Sequence, residues 1–208
     1  MPLKKSSLTV GVDVPWVTSW TEEPIQGVRP CASVGGRLAL TQREHPGYGR
    51  PEYSRNHLLR QRLTVSRMLC PMCGEPTGPD DRVTQVARRI PAGRLRASGR
   101  GADLSPRIAD AQVLIDAGAI APLHRRCSDL SLQHCPHLRA EPNIDVQPFP
   151  ARWTILPLLI EATAPAPAGN ALMRNMTAPA SVPVVTFLQI CGVSEDVDRA
   201  WRTKRKAG

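Results

Sequence analysis

The sequence predicts an α+β protein with a small zinc-stabilised centre, treble-clef-like or zinc-ribbon-like, between β-rich and loop-rich flanks. Two pairs of potential metal ligands, Cys70 with Cys73 and His124 with Cys127, each enclose two residues and lie far apart in the chain. Helix-like and strand-like apolar patterns both occur. The 21 prolines and 15 glycines among 208 residues keep the elements short.

The chain is long enough for one sizeable core with extended arms, and we expect a single folded unit in three parts. An irregular, β-rich arm covers residues 1–53, the zinc-binding core covers 54–140, and a β-rich part covers 141–208. Within the arm, residues 8–14 and 37–40 are the strand candidates.

A helix is predicted over residues 53–69, YSRNHLLRQRLTVSRML, immediately before the first ligand pair. Ser54 is the expected N-cap, because its hydroxyl can accept a hydrogen bond from a free N–H of the first turn. The arginines of this segment fall mainly on the side opposite the apolar residues. The apolar residues recur at roughly helical spacing: Leu58, Leu59, Leu63, Val65 and Met68.

Between the two ligand pairs, residues 81–90 alternate weakly in polarity and predict a strand. The glycine- and arginine-rich stretch 91–104 is predicted to be a loop. A second helix is expected over residues 105–122, with Ser105 as its cap and Pro106 at the first helical position.

The last part of the chain predicts three strands, at residues 144–149, 153–162 and 182–191. The proline-rich stretch 163–169 predicts an exposed loop or linker. Residues 194–208 predict a short terminal helix, with acidic residues near its start and basic residues near its end.

Cys70-Pro-Met-Cys73-Gly has the sequence of a zinc knuckle. The two-residue spacing lets both thiolates face one ion, and proline and glycine suit the tight turn. A redox pair is the alternative, but such a pair opens a helix in a thioredoxin-like unit, whereas here the predicted helix comes first. His124-Arg-Arg-Cys127 repeats the spacing. Together the pairs predict one structural Zn²⁺ per chain, with four protein ligands and no open position.

The fourth ligand has an alternative, since Cys135 in place of His124 would give four thiolates. Cys127 and Cys135 are eight residues apart, about two helical turns, so one ion could not easily bind both across a regular helix. Spacing therefore favours His124. Cys31 and Cys191 lie in unrelated segments and are expected to be core thiols.

Three motifs occur in order along the chain: Arg60-Gln61-Arg62 before Leu69-Cys70-x-x-Cys73, the later ligand pair after a proline, and Cys135-Pro136-x-Leu138. Together they resemble a family of uncharacterised actinobacterial and actinophage proteins. Stretches 16–22 and 47–53 fit the same pattern loosely, so the resemblance covers roughly residues 12–140. It implies a zinc site and a high-GC actinobacterial or phage origin, but no mechanism. It departs at His124, where the pattern would have a cysteine.

The charge of the chain favours a partner that carries phosphate. The formal net charge is +9, and residues 50–107 hold twelve Lys/Arg against five Asp/Glu. A positive surface attracts phosphate groups, whereas a single exposed arginine is usually part of an ordinary solvated face. The sequence predicts a nucleic-acid-binding module that uses the first helix, the loop at 91–104 and the second ligand pair. The predicted contacts are Arg55, Arg60, Arg62, Arg67, Arg125 and Arg126.

Two other functions remain open. A non-catalytic protein-interaction or accessory component, such as part of a phage particle, could dock a protein partner on the apolar C-terminal strands. A nuclease of the HNH type is less favoured, because it needs a histidine base and His or Asn ligands between the pairs. Residues 74–123 contain neither residue type. No serine-hydrolase, phosphate-loop or dinucleotide motif predicts another enzyme or a small-molecule cofactor.

The first residues contain two lysines without a following apolar run, so they do not predict a secretory signal. The most apolar stretch, residues 153–162, is about half the length that spans a bilayer. We expect a cytoplasmic protein without membrane association. In the cytoplasm, close cysteine pairs are more often metal ligands than disulfides.

Overall fold

The structure, a computed structural model, describes residues 4–86, 89–99, 101, 104–116, 121–141, 144–163 and 181–193. Helices and strands both occur, which confirms the α+β class. The helices are α1 (Leu58–Arg67), α2 (Ala92–Ala97), α3 (Arg125–His134) and α4 (Pro136–Ala140), with a 3₁₀ turn at Ala32–Val34. The strands are β1 (Thr18–Trp20), β2 (Ile25–Pro30), β3 (Leu38–Gln42), β4 (Pro51–Asn56), β5 (Arg82–Val86), β6 (Arg89–Pro91), β7 (Val113–Asp116), β8 (Leu123–His124), β9 (Asp145–Pro148), β10 (Trp153–Thr163) and β11 (Ser181–Val193). Within these ranges, every helix is too short or too polar to cross a membrane.

The largest sheet has six strands and combines all three predicted parts of the chain. Its order is β2-β3-β11-β7-β6, with β10 also paired to β11. β10 and β11 are antiparallel from Trp153 opposite Gly192 to Thr163 opposite Ser181. β11 also pairs with β3 in parallel and with β7 antiparallel. The C-terminal strands are therefore built into the same sheet as strands of the arm and the core.

Two apolar clusters cover opposite faces of the β10–β11 pair. Ile155 and Ile190 are cross-strand neighbours and pack with Val65 of α1. Leu156 follows in β10, so its side chain points to the other face, where it packs with Leu95 of α2. Burying one such aliphatic side chain contributes roughly 1.5–3 kcal/mol. Apolar burial thus holds this pair of strands between α1 and α2.

Two smaller sheets complete the described part of the chain. β1 pairs with β4, and the strand order of the other sheet is β8-β5-β9. The three-stranded sheet leads directly into α3, because β8 ends at His124 and α3 begins at Arg125.

Three consecutive polar side chains of α1 fix the helix to other segments, and Arg60 is the first of them. Its guanidinium donates to both carboxylate oxygens of Glu23, at 2.7 Å each, and to the carbonyl oxygen of Thr18 at 2.7 Å. The side chains of Arg60 and Glu23 are 2% and 0% exposed. This buried ion pair attaches α1 to the turn between β1 and β2.

Gln61 and Arg62 attach the same helix to the main sheet. The Gln61 amide donates to the carbonyl oxygen of Leu188 at 2.6 Å and accepts the N–H of Leu188 at 3.0 Å, as a neighbouring strand would. Arg62 donates to the carbonyl oxygens of Leu40 and Thr186, at 2.9 and 3.0 Å. α1 therefore joins the β1–β2 turn to β3 and β11.

The start of α1 differs from the prediction. The expected cap, Ser54, lies in β4, and the helix begins at Leu58 with His57 as its N-cap. The His57 Nδ1 accepts the N–H of Arg60 at 3.4 Å, and Nε2 lies 2.9 Å from the carbonyl oxygen of Arg43. Pairing of β4 with β1 outweighs the local capping preference of the serine.

The predicted helix over residues 105–122 is wrong. Residues 105–111 mostly form turns, and β7 runs through the middle of the predicted helix, between β6 and β11. The run Val-Leu-Ile suits a strand with a partner on each side, and that pairing overrides the capping signal upstream. Conversely, the stretch 91–104, predicted to be a loop, contains α2.

The other strand predictions are mostly confirmed. Residues 81–90 contain β5 and β6, residues 37–40 lie within β3 apart from Arg37, and the three C-terminal strands are β9, β10 and β11. Residues 8–14 form turns with one bridge between Val10 and Val14 instead of a strand. The predicted loop beyond Thr163 and the terminal helix at 194–208 lie outside the described residues.

Replacing Arg60 with glutamine should lower the free energy of unfolding by about 3–5 kcal/mol, because the buried Glu23 carboxylate would lose its cation. Urea denaturation followed by circular dichroism measures the change. Arg55→Gln is the matched control, since Arg55 is 54% exposed and its ion pair with Glu52 should contribute about 0–1 kcal/mol. Equal losses in the two variants would contradict this role of Arg60.

Candidate metal centre

The first ligand pair lies in a tight turn, the knuckle (residues 70–74), which follows α1 closely. Met68 ends the helix in the left-handed conformation, with φ of 53°. The N–H of Cys70 donates to the carbonyl oxygen of Glu75, and the N–H of Gly74 donates to the carbonyl oxygen of Cys70, both at 2.8 Å. These bonds close the turn that carries Cys70 and Cys73.

The N-terminal arm packs against the knuckle. Trp16 and Val17 donate their backbone N–H groups to the carbonyl oxygens of Met72 and Pro71, at 2.8 and 2.9 Å. Gly74 has φ of +83°, and a Cβ atom there would lie 2.8 Å from Cγ of Trp16. Glycine is required at this position by its backbone conformation and by the close approach of the indole ring.

The second ligand pair lies where β8 meets α3. β8 pairs antiparallel with β5, which places His124 opposite Arg82. Cys127 is in the first turn of α3. The carboxylate of Asp81 accepts the N–H of Arg125 at 3.3 Å and satisfies one of the free N–H groups at the helix start. An antiparallel strand pair followed by a helix therefore brings the second pair to the knuckle.

Cys70, Cys73, His124 and Cys127 lie together, and their ligand atoms are all within 4.8 Å of one another. The Nδ1 atom of His124 lies 3.4 Å from the Cys73 sulfur and 3.9 Å from the Cys127 sulfur. Its Nε2 atom lies 3.2 Å from the carbonyl oxygen of Pro76. With Nε2 donating to that oxygen, the lone pair of Nδ1 faces the sulfurs, an orientation typical of a metal-ligating histidine. The four residues could hold one metal ion.

The surroundings of the cluster disfavour the deprotonated form of its cysteines when no cation is bound. Burial, together with the neighbouring Cys70 and Cys73, raises the pKa of Cys127 to about 12. Burial also raises the pKa of Cys73. Apolar side chains, including Val83 and Leu123, pack around the sulfurs. A bound cation would supply the charge that favours the deprotonated form, so metal binding should release protons.

The alternative ligand Cys135 is not part of this cluster. α3 runs without interruption to His134, so Cys135 lies about two turns away from Cys127. His134 and His137 are exposed. Of the two ligand sets that spacing left open, the geometry brings together the one that contains His124.

Close to the second ligand pair, the interface between β5 and α3 holds an uncharged polar network. Gln85 of β5 donates to the hydroxyl oxygens of Ser128 and Ser131, at 3.0 and 2.8 Å, and all three residues are buried. The Ser131 hydroxyl donates to the carbonyl oxygen of Ser128 at 2.8 Å. Amide and hydroxyl groups do not titrate near neutral pH, so these three residues supply no general base.

The prediction that Arg60 and Arg62 contact nucleic acid is wrong. Their side chains are 2% and 1% exposed and donate to groups inside the protein. These two side chains of α1 face the β1–β2 turn and the main sheet instead of solvent. Glu23, the counterion of Arg60, was missed because no local pattern connects two residues 37 positions apart.

The other predicted arginines are accessible. Arg55 lies in β4, before the helix, and pairs with Glu52. Arg67, Arg125 and Arg126 are exposed. Arg67 is three residues before the knuckle, and the other two separate His124 from Cys127 in the chain. Each of these three arginines therefore lies within three residues of a ligand in the chain.

No protein-family model, curated protein or solved structure matches the chain. The resemblance to actinobacterial and actinophage proteins therefore stays a prediction.

Gly74→Ala should destabilise the protein by at least about 1–2 kcal/mol, because a non-glycine residue is strained at positive φ and its Cβ would meet the Trp16 ring. Gly78→Ala is the matched control, since a Cβ there has no neighbour within 4 Å. Thermal unfolding of the two variants measures the difference. A Gly74 variant as stable as the Gly78 variant would show that the knuckle does not depend on this contact.

Proposed function

We propose that the chain is a non-catalytic binding protein whose centre is held by one structural Zn²⁺ ion. The convergence of four ligand atoms from two distant pairs carries this proposal. Three sulfurs and one imidazole nitrogen are a donor set typical of structural zinc, and four protein ligands leave no open position for water or substrate.

The centre is treble-clef-like in this proposal. Its parts are the knuckle, the antiparallel pair β5–β8 and α3, whose first turn supplies Cys127. Residues 87–122 separate the two strands of the pair, and this insertion contains β6 and β7, which belong to the main sheet. The metal would hold both ends of the insertion.

Purified protein should contain one zinc per chain by elemental analysis, and Cys70→Ser, Cys127→Ser and His124→Ala should each lose most of it. Removal of the ion with a chelator should lower the melting temperature, because a closed site contributes its binding free energy to folding. Competition titrations should show weaker binding as pH falls, since protons compete for three thiolates and one imidazole.

Cys135→Ser is the matched control for these variants. Cys135 is half-buried and lies outside the cluster, so this variant should keep both its zinc and its melting temperature. Loss of zinc in this variant together with its retention in His124→Ala would restore the four-thiolate set. Protein that is free of metal and equally stable without it would end the proposal.

We further propose that the partner is nucleic acid, contacted through Arg67, Arg125 and Arg126. We call these three residues the metal-adjacent arginines. They are exposed and lie close to the ligands in the chain, which supports a compact basic surface. With three thiolates and Zn²⁺, the cluster itself would carry one negative charge. The three arginines exceed that charge, and the Asp81 carboxylate at the start of α3 offsets one of them, so their surface would be weakly positive and would attract phosphate.

Changing the metal-adjacent arginines together to glutamine should weaken binding to duplex DNA or RNA and flatten its salt dependence by about 0.9 per lost phosphate contact on B-DNA. The matched control changes three exposed arginines of the arm, Arg29, Arg43 and Arg50, and removes the same charge. Fluorescence anisotropy at several salt concentrations measures both. Phosphate contacts carry no sequence information, so we expect weak discrimination among sequences.

Zinc content separates the two roles that the metal-adjacent arginines could have. If they contact nucleic acid, the triple variant keeps its zinc. If they only balance the charge of the thiolates, zinc affinity falls and nucleic-acid binding follows the loss of the fold. If the control variant weakens nucleic-acid binding equally, the effect comes from net charge and not from these three positions. If the unchanged protein shows no binding at concentrations on the order of tens of micromolar, nucleic acid is rejected as the partner.

A protein-interaction or accessory role, such as a part in phage assembly, is the second candidate. β10 favours it, because among the described residues this strand pairs only with β11 and leaves its other edge open. Trp153, Leu159 and Ile160 of the same strand are 43%, 46% and 43% exposed. An open edge with apolar side chains is suited to a strand from another protein. Rejection of nucleic acid in the binding test would favour this role.

A further inference from the structure

Cys31 differs from the buried core thiol that the sequence predicts. It is half-buried, whereas Cys191 is 1% exposed and lies in the core as expected. The Cys31 sulfur lies 3.1 Å from the hydroxyl oxygen of Ser33 and 3.8 Å from Nη2 of Arg62. The Nε atom of Arg62 lies 3.1 Å from the same hydroxyl oxygen. These three residues form one group, the Cys31 cluster.

Arg62 brings a positive charge into this cluster, and no carboxylate of the described residues forms an ion pair with it. Its side chain is 1% exposed, and in the described part of the chain every ion pair is made by other residues. Nη1 donates to two carbonyl oxygens and Nε to Ser33, so the Cys31 sulfur is the partner of Nη2. Carbonyl and hydroxyl oxygens carry only partial charges, and a buried full charge ordinarily has an ionised counterpart.

Arg60, two residues earlier in α1, is a second buried guanidinium and can be compared with Arg62. It is 2% exposed, and a full carboxylate, Glu23, meets it with two hydrogen bonds. In the case of Arg62, the group that can supply the corresponding anion is the Cys31 sulfur. Ser33, on the same turn as the cysteine, can donate its hydroxyl proton to an ionised sulfur.

We propose that Cys31 is a nucleophilic thiolate with Arg62 as its counterion, and that it is a modification site for small, uncharged electrophiles. The restriction to small and uncharged reagents follows from its surroundings, because Cys31 packs against an apolar cluster that also contacts Val34 and Met68. The direction of its acidity agrees. Burial alone would raise the pKa of Cys31, but hydrogen bonds with Ser33 and the charge of Arg62 outweigh it, so this pKa is lowered.

The reaction at this site is a simple displacement. A lone pair of the sulfur forms a bond to the electrophilic carbon, and the leaving group departs with the electron pair of the bond that breaks. The thiolate is already deprotonated, so no base is needed and neither partner of the cluster changes its protonation.

Alkylation by iodoacetamide tests the proposal on the full-length protein. The protein is exposed briefly to the reagent over a range of pH, and mass spectrometry of the Cys31 peptide gives the rate. The same cysteine in urea-unfolded protein is the reference, with an ordinary thiol pKa of about 8.5. We expect the rate to reach half of its maximum at lower pH in the folded protein. Cys135 in the same samples reports the activity of the reagent.

Ser33→Ala is the variant that separates this role from a packing role. It removes one hydrogen bond to the sulfur and the acceptor of Arg62 Nε, and it leaves the attachments of Arg62 to β3 and β11 in place. We expect the half-maximal rate to move to higher pH, and the melting temperature to fall because the buried Nε of Arg62 loses its acceptor. A packing role alone would lower the melting temperature without moving the pH of the half-maximal rate. A midpoint at or above that of the unfolded chain, or no alkylation of folded Cys31 at any pH, would overturn the proposal.

Discussion

The position of α1 depends on the buried ion pair between Arg60 and Glu23. Removing two charges from water costs several kcal/mol per ion, and only close, well-directed hydrogen bonds offset that cost. The guanidinium meets both carboxylate oxygens at 2.7 Å, which satisfies the requirement in one relative placement of the helix and the β1–β2 turn. The knuckle starts two residues after the end of α1, so the placement of this helix also determines the position of Cys70 and Cys73.

The Cys/His cluster connects the chain at a second point. Cys73 and His124 are 51 residues apart in the chain, and the segment between them contains β6 and β7, which are strands of the main sheet. The entropic cost of closing a loop rises slowly with its length, so a long segment between two neighbouring ligands costs little more than a short one. α1 and the cluster together tie the arm, the core and the C-terminal strands to one another.

The net charge of the chain is a poor guide to the arginines that face a partner. Arg60 and Arg62 use their charges inside the fold, one on a carboxylate and the other on carbonyl oxygens and a cysteine sulfur. Arg67, Arg125 and Arg126 remain at the surface, each within three residues of a ligand in the chain. A count of basic residues over a segment therefore overestimates the charge that is available to phosphate, because it assigns buried and exposed guanidinium groups the same role.

The sequence by itself determined three members of the Cys/His cluster, Cys70, Cys73 and Cys127, because a CxxC turn and the first turn of a helix are local geometries that spacing reveals. Spacing favoured His124 over Cys135 as the fourth member, and the tertiary structure decided between them. The sequence also determined the aliphatic strands β10 and β11, whose pattern extends over many residues. Only the tertiary structure decided where α1 begins, that residues 113–116 form a strand, and that Arg60 and Arg62 are buried. Each of these outcomes depends on a distant partner, such as Glu23 for Arg60 and β11 for β7. Pairing energies from such partners exceed the local preferences of a few tenths to about 1 kcal/mol that sequence patterns report.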